Sequence, residues 1–284
     1  MTSPLGEYLR ARRALVSPED VGLPRDPNRR VAGLRRDEVA RVAAISPEYY
    51  LRLEQGHHQT PSEPVLQGLA RALLLDDAAE SYMRRLVAHT DPEAAELERS
   101  ETLSGEQIRA LLDAWPHLPA GMLDRNMDVV ATNRMLDIVT RGTVAVGDNV
   151  VQFIFSEGFK RIAFDWERLA AGTVAGLRYA GDPTDPRYRQ IVGDLLVRSR
   201  EFRHFWLRHD ASPWSVGRTT HDIPPLGPVE MTFQNFEVSG TGGYHLSILF
   251  PDPGSEGADL IAELAERARD PEFRLPDLDL DASA

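Results

Sequence analysis

The chain has 284 residues, a formal net charge of -12, a pI near 5.2 and no cysteine. Its length accommodates a small domain and one of ordinary size, and the missing cysteines exclude disulfides, thiolate metal sites and cysteine nucleophiles. No run of about 18 apolar residues occurs and the first residues lack a basic then apolar leader, so a cytoplasmic protein without membrane insertion is expected.

Taken in chain order, Leu5 to Val16 reads as an opening helix, and Ser17 to Arg30, with Pro18, Gly22, Pro24 and Pro27, as a loop. Arg36–Ala43 and Pro47–Glu54 read as two helices joined by a tight turn. Ser46 is placed to cap the second of these, and Pro47 needs no donor at its first position. A fourth helix is expected from about Pro64 to Leu74, and a fifth from Asp76 and Asp77 toward His89. Leu34, Val39, Ala40, Ile45, Tyr50, Leu53, Leu66, Leu69, Ala70 and Leu73 suit the core of this five-helix unit. The charge-rich stretch from His89 to Thr102 marks a domain boundary, which puts the domains at 1–90 and 104–270.

Beyond it, Ser104 to Leu112 is a short amphipathic helix. Ala120–Leu123 and Met127–Thr132 form a hairpin turned at Asp124-Arg125-Asn126, followed by a short helix over Asn133–Val139. Val150–Phe155 is a buried segment of open type. Asp165–Tyr179, Asp185–Arg198 and Ser199–Arg208 read as helices. Alternating stretches at Ser215–Asp222, Val229–Val238 and Tyr244–Phe250 predict an antiparallel meander, a closing helix covers Glu256–Arg267, and Leu275–Ala284 reads as a loose acidic tail. The expected fold is multidomain, an all-α helix-turn-helix bundle followed by an α+β domain with an antiparallel sheet.

The charge is unevenly spread. Residues 1–60 carry ten arginines against eight carboxylates, and the acidic excess lies almost wholly beyond residue 90. A locally basic face on an acidic chain still attracts phosphate. A helix starting at Ser46 can enter a DNA major groove, with Pro47, Glu48, Tyr49 and Arg52 outward and Tyr50 and Leu53 inward. Arg52 suits a guanine edge, Tyr49 an apolar or phosphate contact, and Glu48 a cytosine amine. Arg36 is expected near phosphate or the groove edge, and Arg29, Arg30, Gln59, Thr60 and Ser62 are expected phosphate contacts. One small module reads few bases, so a homodimer on double-stranded DNA is expected.

Enzyme readings find little support. Glu201 and His204 share a helix face, but His209 lies off it and no third metal ligand follows at useful spacing. Gly240-Thr-Gly-Gly243 lacks the lysine of a phosphate loop, and no Gly-x-Ser-x-Gly elbow occurs. No catalytic residue, metal site or required cofactor is assigned.

The first domain resembles the Xre/Cro/C1-type helix-turn-helix family, and the chain over about residues 5–270 resembles the MmyB-like regulators. The motifs carrying this are Arg29-Arg30-Val31-Ala32-Gly33-Leu34-Arg35-Arg36-Asp37-Glu38-Val39-Ala40, Ser46-Pro47-Glu48-Tyr49-Tyr50-Leu51-Arg52-Leu53-Glu54-Gln55-Gly56 and Ser199-Arg200-Glu201-Phe202-Arg203-His204-Phe205-Trp206. The resemblance implies a transcriptional regulator with a PAS-like ligand-binding domain and groove-facing Arg36, Pro47, Glu48, Tyr49 and Arg52. It also implies a small apolar ligand, a fatty acid or fatty-acyl group. Phe153, Phe155, Phe159, Trp166, Phe202, Trp206, Phe233 and Phe236 are candidates to line its pocket, and Arg178 and Arg218 to hold a carboxylate. Two departures stand out. Ala44 takes the place of the usual turn glycine, a cost of about 1 kcal/mol at positive φ, and Thr132 replaces a tryptophan before the asparagine. The alternative function is a protein-interaction regulator that keeps the helix-turn-helix fold without direct sequence readout.

Overall fold

The computed structural model describes residues 3–25, 29, 31–57, 60–88, 103–224, 227–238, 241 and 243–275. The expected boundary at 89–102, the tail beyond Leu275, and Arg30 and Gln59 lie outside the described residues. The chain divides into two compact units, Met1–Leu97 with Arg203–Pro213, and Glu98–Phe202 with Trp214–Ala284.

The first unit contains α1 (Pro4–Leu15), α2 (Arg36–Val42), α3 (Pro47–Gln55), α4 (Glu63–Ala72) and α5 (Asp77–Ala88). A single 3-10 turn over Glu19–Val21 interrupts the loop expected after α1. Local chemistry sets the ends of the helices. The Ser3 hydroxyl accepts from the Gly6 N–H, and the Ser46 hydroxyl from the Tyr49 N–H at 3.1 Å, each satisfying a donor that the first turn leaves open. Glu38 reaches back to the Arg35 N–H at the start of α2. Gly56 closes α3 at φ 76.

Tyr8, Leu9, Leu34, Val39, Tyr50, Leu53, Leu69, Leu73 and Met83 form the core of this unit. Its centre is not wholly apolar. Glu54, on the inward face of α3, is fully buried and accepts from Arg13 Nε of α1 and Arg36 Nε of α2, each at 2.7 Å. Arg13 also donates to the Leu34 carbonyl at 2.8 Å. One carboxylate therefore ties together three helices. The two guanidinium groups outweigh burial and hold the Glu54 carboxyl below its ordinary range.

Two close approaches need glycine. A Cβ on Gly6 would lie 2.3 Å from the Glu54 carbonyl oxygen, and one on Gly68 would lie 2.4 Å from that of Ala43. The backbones of α1 and α4 thus sit against the ends of α3 and α2. Between α2 and α3, Ala44 adopts φ 58, so the alanine carries the left-handed strain its position in the turn implied.

The second unit is mixed α+β. It contains α6 (Gly105–Asp113), β1 (Ala120–Leu123), β2 (Val129–Thr132), α7 (Arg134–Thr140), α8 (Val150–Ile154), α9 (Glu157–Ile162), α10 (Trp166–Ala180) and α11 (Pro186–Arg198). Next come α12 (Arg200–Leu207), whose residues from Arg203 group with the first unit, then β3 (Val216–Ile223), β4 (Gly227–Val238), β5 (Tyr244–Phe250) and α13 (Glu256–Arg267). The segment of open type at Val150 is helical, capped by Asn149, and α9 was not anticipated.

The five strands pair antiparallel in the order β2-β1-β5-β4-β3. The meander expected at the end of the chain is β3-β4-β5, and β5 then joins the hairpin from the start of the unit, with Gly121 opposite Ser247. Strand alternation divides the sheet into two faces. Ala120, Met122, Leu246 and Ile248 bury one face with Ile108 and Leu112 of α6. Gly121, Leu123, Phe233, Ser247 and Leu249 belong to the other.

Glu54→Gln removes the charge that neutralises Arg13 and Arg36. Breaking a buried pair this way costs about 3 kcal/mol, the low end of the usual range, because Arg36 remains half exposed. Amide hydrogen exchange in α1, α2 and α3 is expected to speed up on the order of a hundredfold; unaltered protection would show that the carboxylate does not hold the unit together.

Candidate DNA interface and ligand cavity

On α3, the residues turned away from the core are Pro47, Glu48, Arg52 and Gln55, with Tyr49 half-buried beside them. Tyr50 and Leu53 are fully buried. This split follows from helical spacing, since residues 50, 53 and 54 share the face that meets α1 and α2. Thr60 and Ser62 are exposed, and the Ser62 hydroxyl makes no capping bond at the start of α4. The free hydroxyl and the outward edge of α3 present donors and acceptors at the surface, the equipment for contacts with phosphates and base edges.

Two of the expected contacts are otherwise engaged. Arg29 is not placed for phosphate: its side chain is 3 % exposed and forms a double bridge to Glu38, with Nη1 and Nη2 at 2.6 and 2.7 Å from the two carboxylate oxygens. It also donates to the Val31 and Gly33 carbonyls. Arg29 therefore fastens the loop before α2, and it pulls the Glu38 carboxyl down to about 2. Arg36 gives its Nε to Glu54 but leaves half of its side chain exposed, so its first duty is to hold α2 against α3. The sequence signals for both are Glu38, three residues after the Arg35 cap of α2, and Glu54 near the end of α3.

In the second unit, a cavity of about 90 Å³ lies between the odd-numbered face of the sheet and helices α7 to α10. Gly121 and Leu123 of β1, Val129 of β2, Thr219 and His221 of β3, Phe233 of β4, and Ser247 and Leu249 of β5 supply its floor. Leu136, Thr140, Phe153, Ile154, Phe159 and Leu169 close it from the helices, and Trp214 reaches in from the segment before β3. Among the described residues, no Lys, Arg, Asp or Glu lines it. A larger hollow of about 530 Å³ adjoins it, sharing Leu169, Trp214, Thr219 and Phe233, and it is edged by Phe164, Arg168, Arg218 and Glu230.

Of the expected lining residues, Phe153, Phe159 and Phe233 meet the inner cavity, and Phe233 and Arg218 meet the outer hollow. The others do not line either one. Phe155 packs edge-on against Trp166 and Phe202, with centroids 5.4 and 5.3 Å apart, in a separate aromatic cluster, and the Trp166 indole donates to the Ile154 carbonyl. Phe236 stands at an even position on β4, half exposed on the opposite face. Trp206 belongs to the segment grouped with the first unit. Arg178 is buried on α10 away from both hollows, so no arginine among the described residues reaches the inner cavity to meet a carboxylate. Arg218 is bound to Glu230 and, at 2.8 Å, to Asp252.

Trp214 and His221 were not anticipated. Trp214 sits outside any strand, so no periodicity marked it. His221 could have been found, because it shares the alternation of Thr219 within the stretch read as a strand. Burial without a charged neighbour pushes its imidazole down to about 4. The aromatic wall depends on two glycines: a Cβ on Gly176 would lie 2.3 Å from the Trp214 Cβ, and one on Gly217 would lie 2.5 Å from the Phe233 ring.

Among the described residues, no three His, Asp or Glu side chains gather as a metal site, and no helix is long and apolar enough to cross a membrane. A family model described as "MmyB-like transcription regulator ligand binding domain" matches residues 105–265, and a helix-turn-helix domain model matches residues 4–81. No curated protein matches the chain.

The depressed His221 value gives a pH test. Since the unfolded chain takes up a proton near pH 6.5 and the folded one only near 4, His221 contributes to a loss of stability of the second unit as pH falls through that window. His221→Gln, uncharged throughout, is expected to flatten the decline between pH 6.5 and 4 in urea titrations; an unchanged slope would mean that the imidazole is solvated.

Proposed function

The chain belongs to the family of MmyB-like transcription regulators, a ligand-binding domain preceded by a helix-turn-helix domain, and from that premise we propose that it reads a specific DNA sequence through α3 under the control of a small apolar ligand. The observation that carries the DNA reading is the outward edge of α3: Arg52, exposed and without an ion pair among the described residues, beside Tyr49, on a helix pinned by Ser46 at one end and Glu54 at the other. A rigidly held helix whose long donor side chain is unspent can place a guanidinium against a guanine edge at little further entropic cost.

A module of this size contacts few bases. We propose a homodimer whose two α3 helices read the halves of a palindromic site. The second unit takes up the ligand in the apolar cavity between sheet and helices, a fatty acid or fatty-acyl group being the class that the family reading favours. Regulation then requires that the ligand bind one arrangement of the dimer more tightly than another.

Selection of bound sites from random duplexes is expected to yield a palindromic consensus. Arg52→Ala should relax preference at one position of each half-site by about 1–3 kcal/mol while leaving the others in place. Identical selection by both proteins would instead favour regulation through a protein partner. For the ligand, native mass spectrometry of freshly purified protein is expected to reveal a discrete added mass, removed by denaturation. A bare chain mass that solvent-extracted lipid fails to change would count against a fatty-acyl ligand.

A further inference from the structure

We infer that the inner cavity receives the uncharged carbonyl end of its apolar ligand, recognised by the Trp214 indole N–H and the His221 imidazole. This inference rests on the reading of the second unit as ligand-binding and narrows the chemistry of what it holds.

Two polar atoms carry it. Trp214 Nε1 and His221 Nε2 are both sealed from solvent, and neither has a hydrogen-bond partner in the protein among the described residues. Both side chains line the same cavity, whose other walls are almost wholly apolar. Buried polar groups are as a rule paired, so two orphans in one hollow point to a group supplied from outside the fold. An indole nitrogen can only donate, which makes the missing partner of Trp214 an acceptor oxygen. His221 adds a second polar contact, and its burial among uncharged residues keeps the ring neutral.

The charge balance decides which oxygen. With no Lys or Arg in the lining and a neutral imidazole, a carboxylate would enter as an unpaired charge in an apolar enclosure. A ketone, ester or lactone carbonyl accepts the same hydrogen bond without that penalty. The free acid, whose anion the sequence paired with Arg178 or Arg218, is therefore disfavoured at neutral pH.

Position and size agree. Trp214 is held from three sides: its carbonyl accepts from Asn235 Nδ2 at 2.7 Å, its Cβ rests over Gly176, and its ring lies tilted against Phe233 with centroids 4.8 Å apart. The indole N–H is thus fixed in direction before a ligand arrives, which lowers the cost of binding. At about 90 Å³ the cavity is smaller than the roughly 150 Å³ hollow that admits benzene in an engineered core. It suits a head group with a few carbons, and the adjoining hollow behind the shared Leu169 and Thr219 gives room for a longer tail.

The test uses the full-length protein, labelled with nitrogen-15, and three probes of matched size at pH 7.5: 2-heptanone, heptane and hexanoate. The four tryptophan indole resonances are assigned by replacing each tryptophan in turn with phenylalanine, so the Trp214 signal is identified by elimination even if Trp214→Phe does not fold. The ketone is expected to move the Trp214 indole proton downfield and to bind at least tenfold more tightly than hexanoate, while heptane leaves that proton in place. Equal binding of hexanoate and ketone, or the same displacement by heptane, would overturn the inference but leave an apolar cavity that binds ligands. If none of the three binds, the ligand-binding reading of this cavity falls with it.

Discussion

The first unit depends on a single buried carboxylate. Glu54 is sealed at the meeting point of three helices and neutralised by one arginine from each of the other two. A charge in that position is tolerable only when α1, α2 and α3 are all in place, because each contributes a group without which another is left unpaired. Three short helices, of 12, 7 and 9 residues, would be marginal alone. The clamp, with Gly6 and Gly68 admitting backbone contact, makes their angles one property rather than three. The placement of the outward edge of α3 follows from this, so Glu54, which never faces solvent, governs residues that do.

A related device stands one loop earlier. Arg29 crosses to Glu38 and fastens the chain before α2, with two carbonyls completing its fork. Charged residues around α3 are thus divided by burial into two jobs. Those with carboxylate partners inside shape the scaffold, and those outside without one among the described residues, Arg52 first among them, stay at the surface.

The second unit follows a different logic, in which apolar alternation dictates the layout and small residues make room. Even positions of β1 and β5 bury against α6, and odd positions across all five strands floor the cavity. Gly176 and Gly217 leave space that Trp214 and Phe233 occupy, so the wall between the two hollows is built from large rings seated on missing side chains. The aromatic residues of the second unit serve two ends: Phe155, Trp166 and Phe202 pack on one another as core, while Phe153, Phe159, Phe233 and Trp214 reach the cavity.

The sequence by itself determined most of the elements, though it left the type of Val150–Phe155 open and gave no sign of α9. The cap at Ser46, proline at 47 and the period-two strands are local features, fixed by backbone sterics and nearest-neighbour hydrogen bonds, so they could be read without a fold, while the turn at Ala44 was marked by the family resemblance. What only the tertiary structure decided is which long side chains find partners far along the chain. Arg13 and Arg36 converge on Glu54 from 41 and 18 residues away, β5 closes on β1 across the intervening helices, and Trp214 and His221 come to share one cavity. Arginine is equally compatible with a phosphate and with a buried carboxylate, and phenylalanine with a pocket and with a core. The choice between them is made by burial, a property of the assembled chain rather than of any stretch of it.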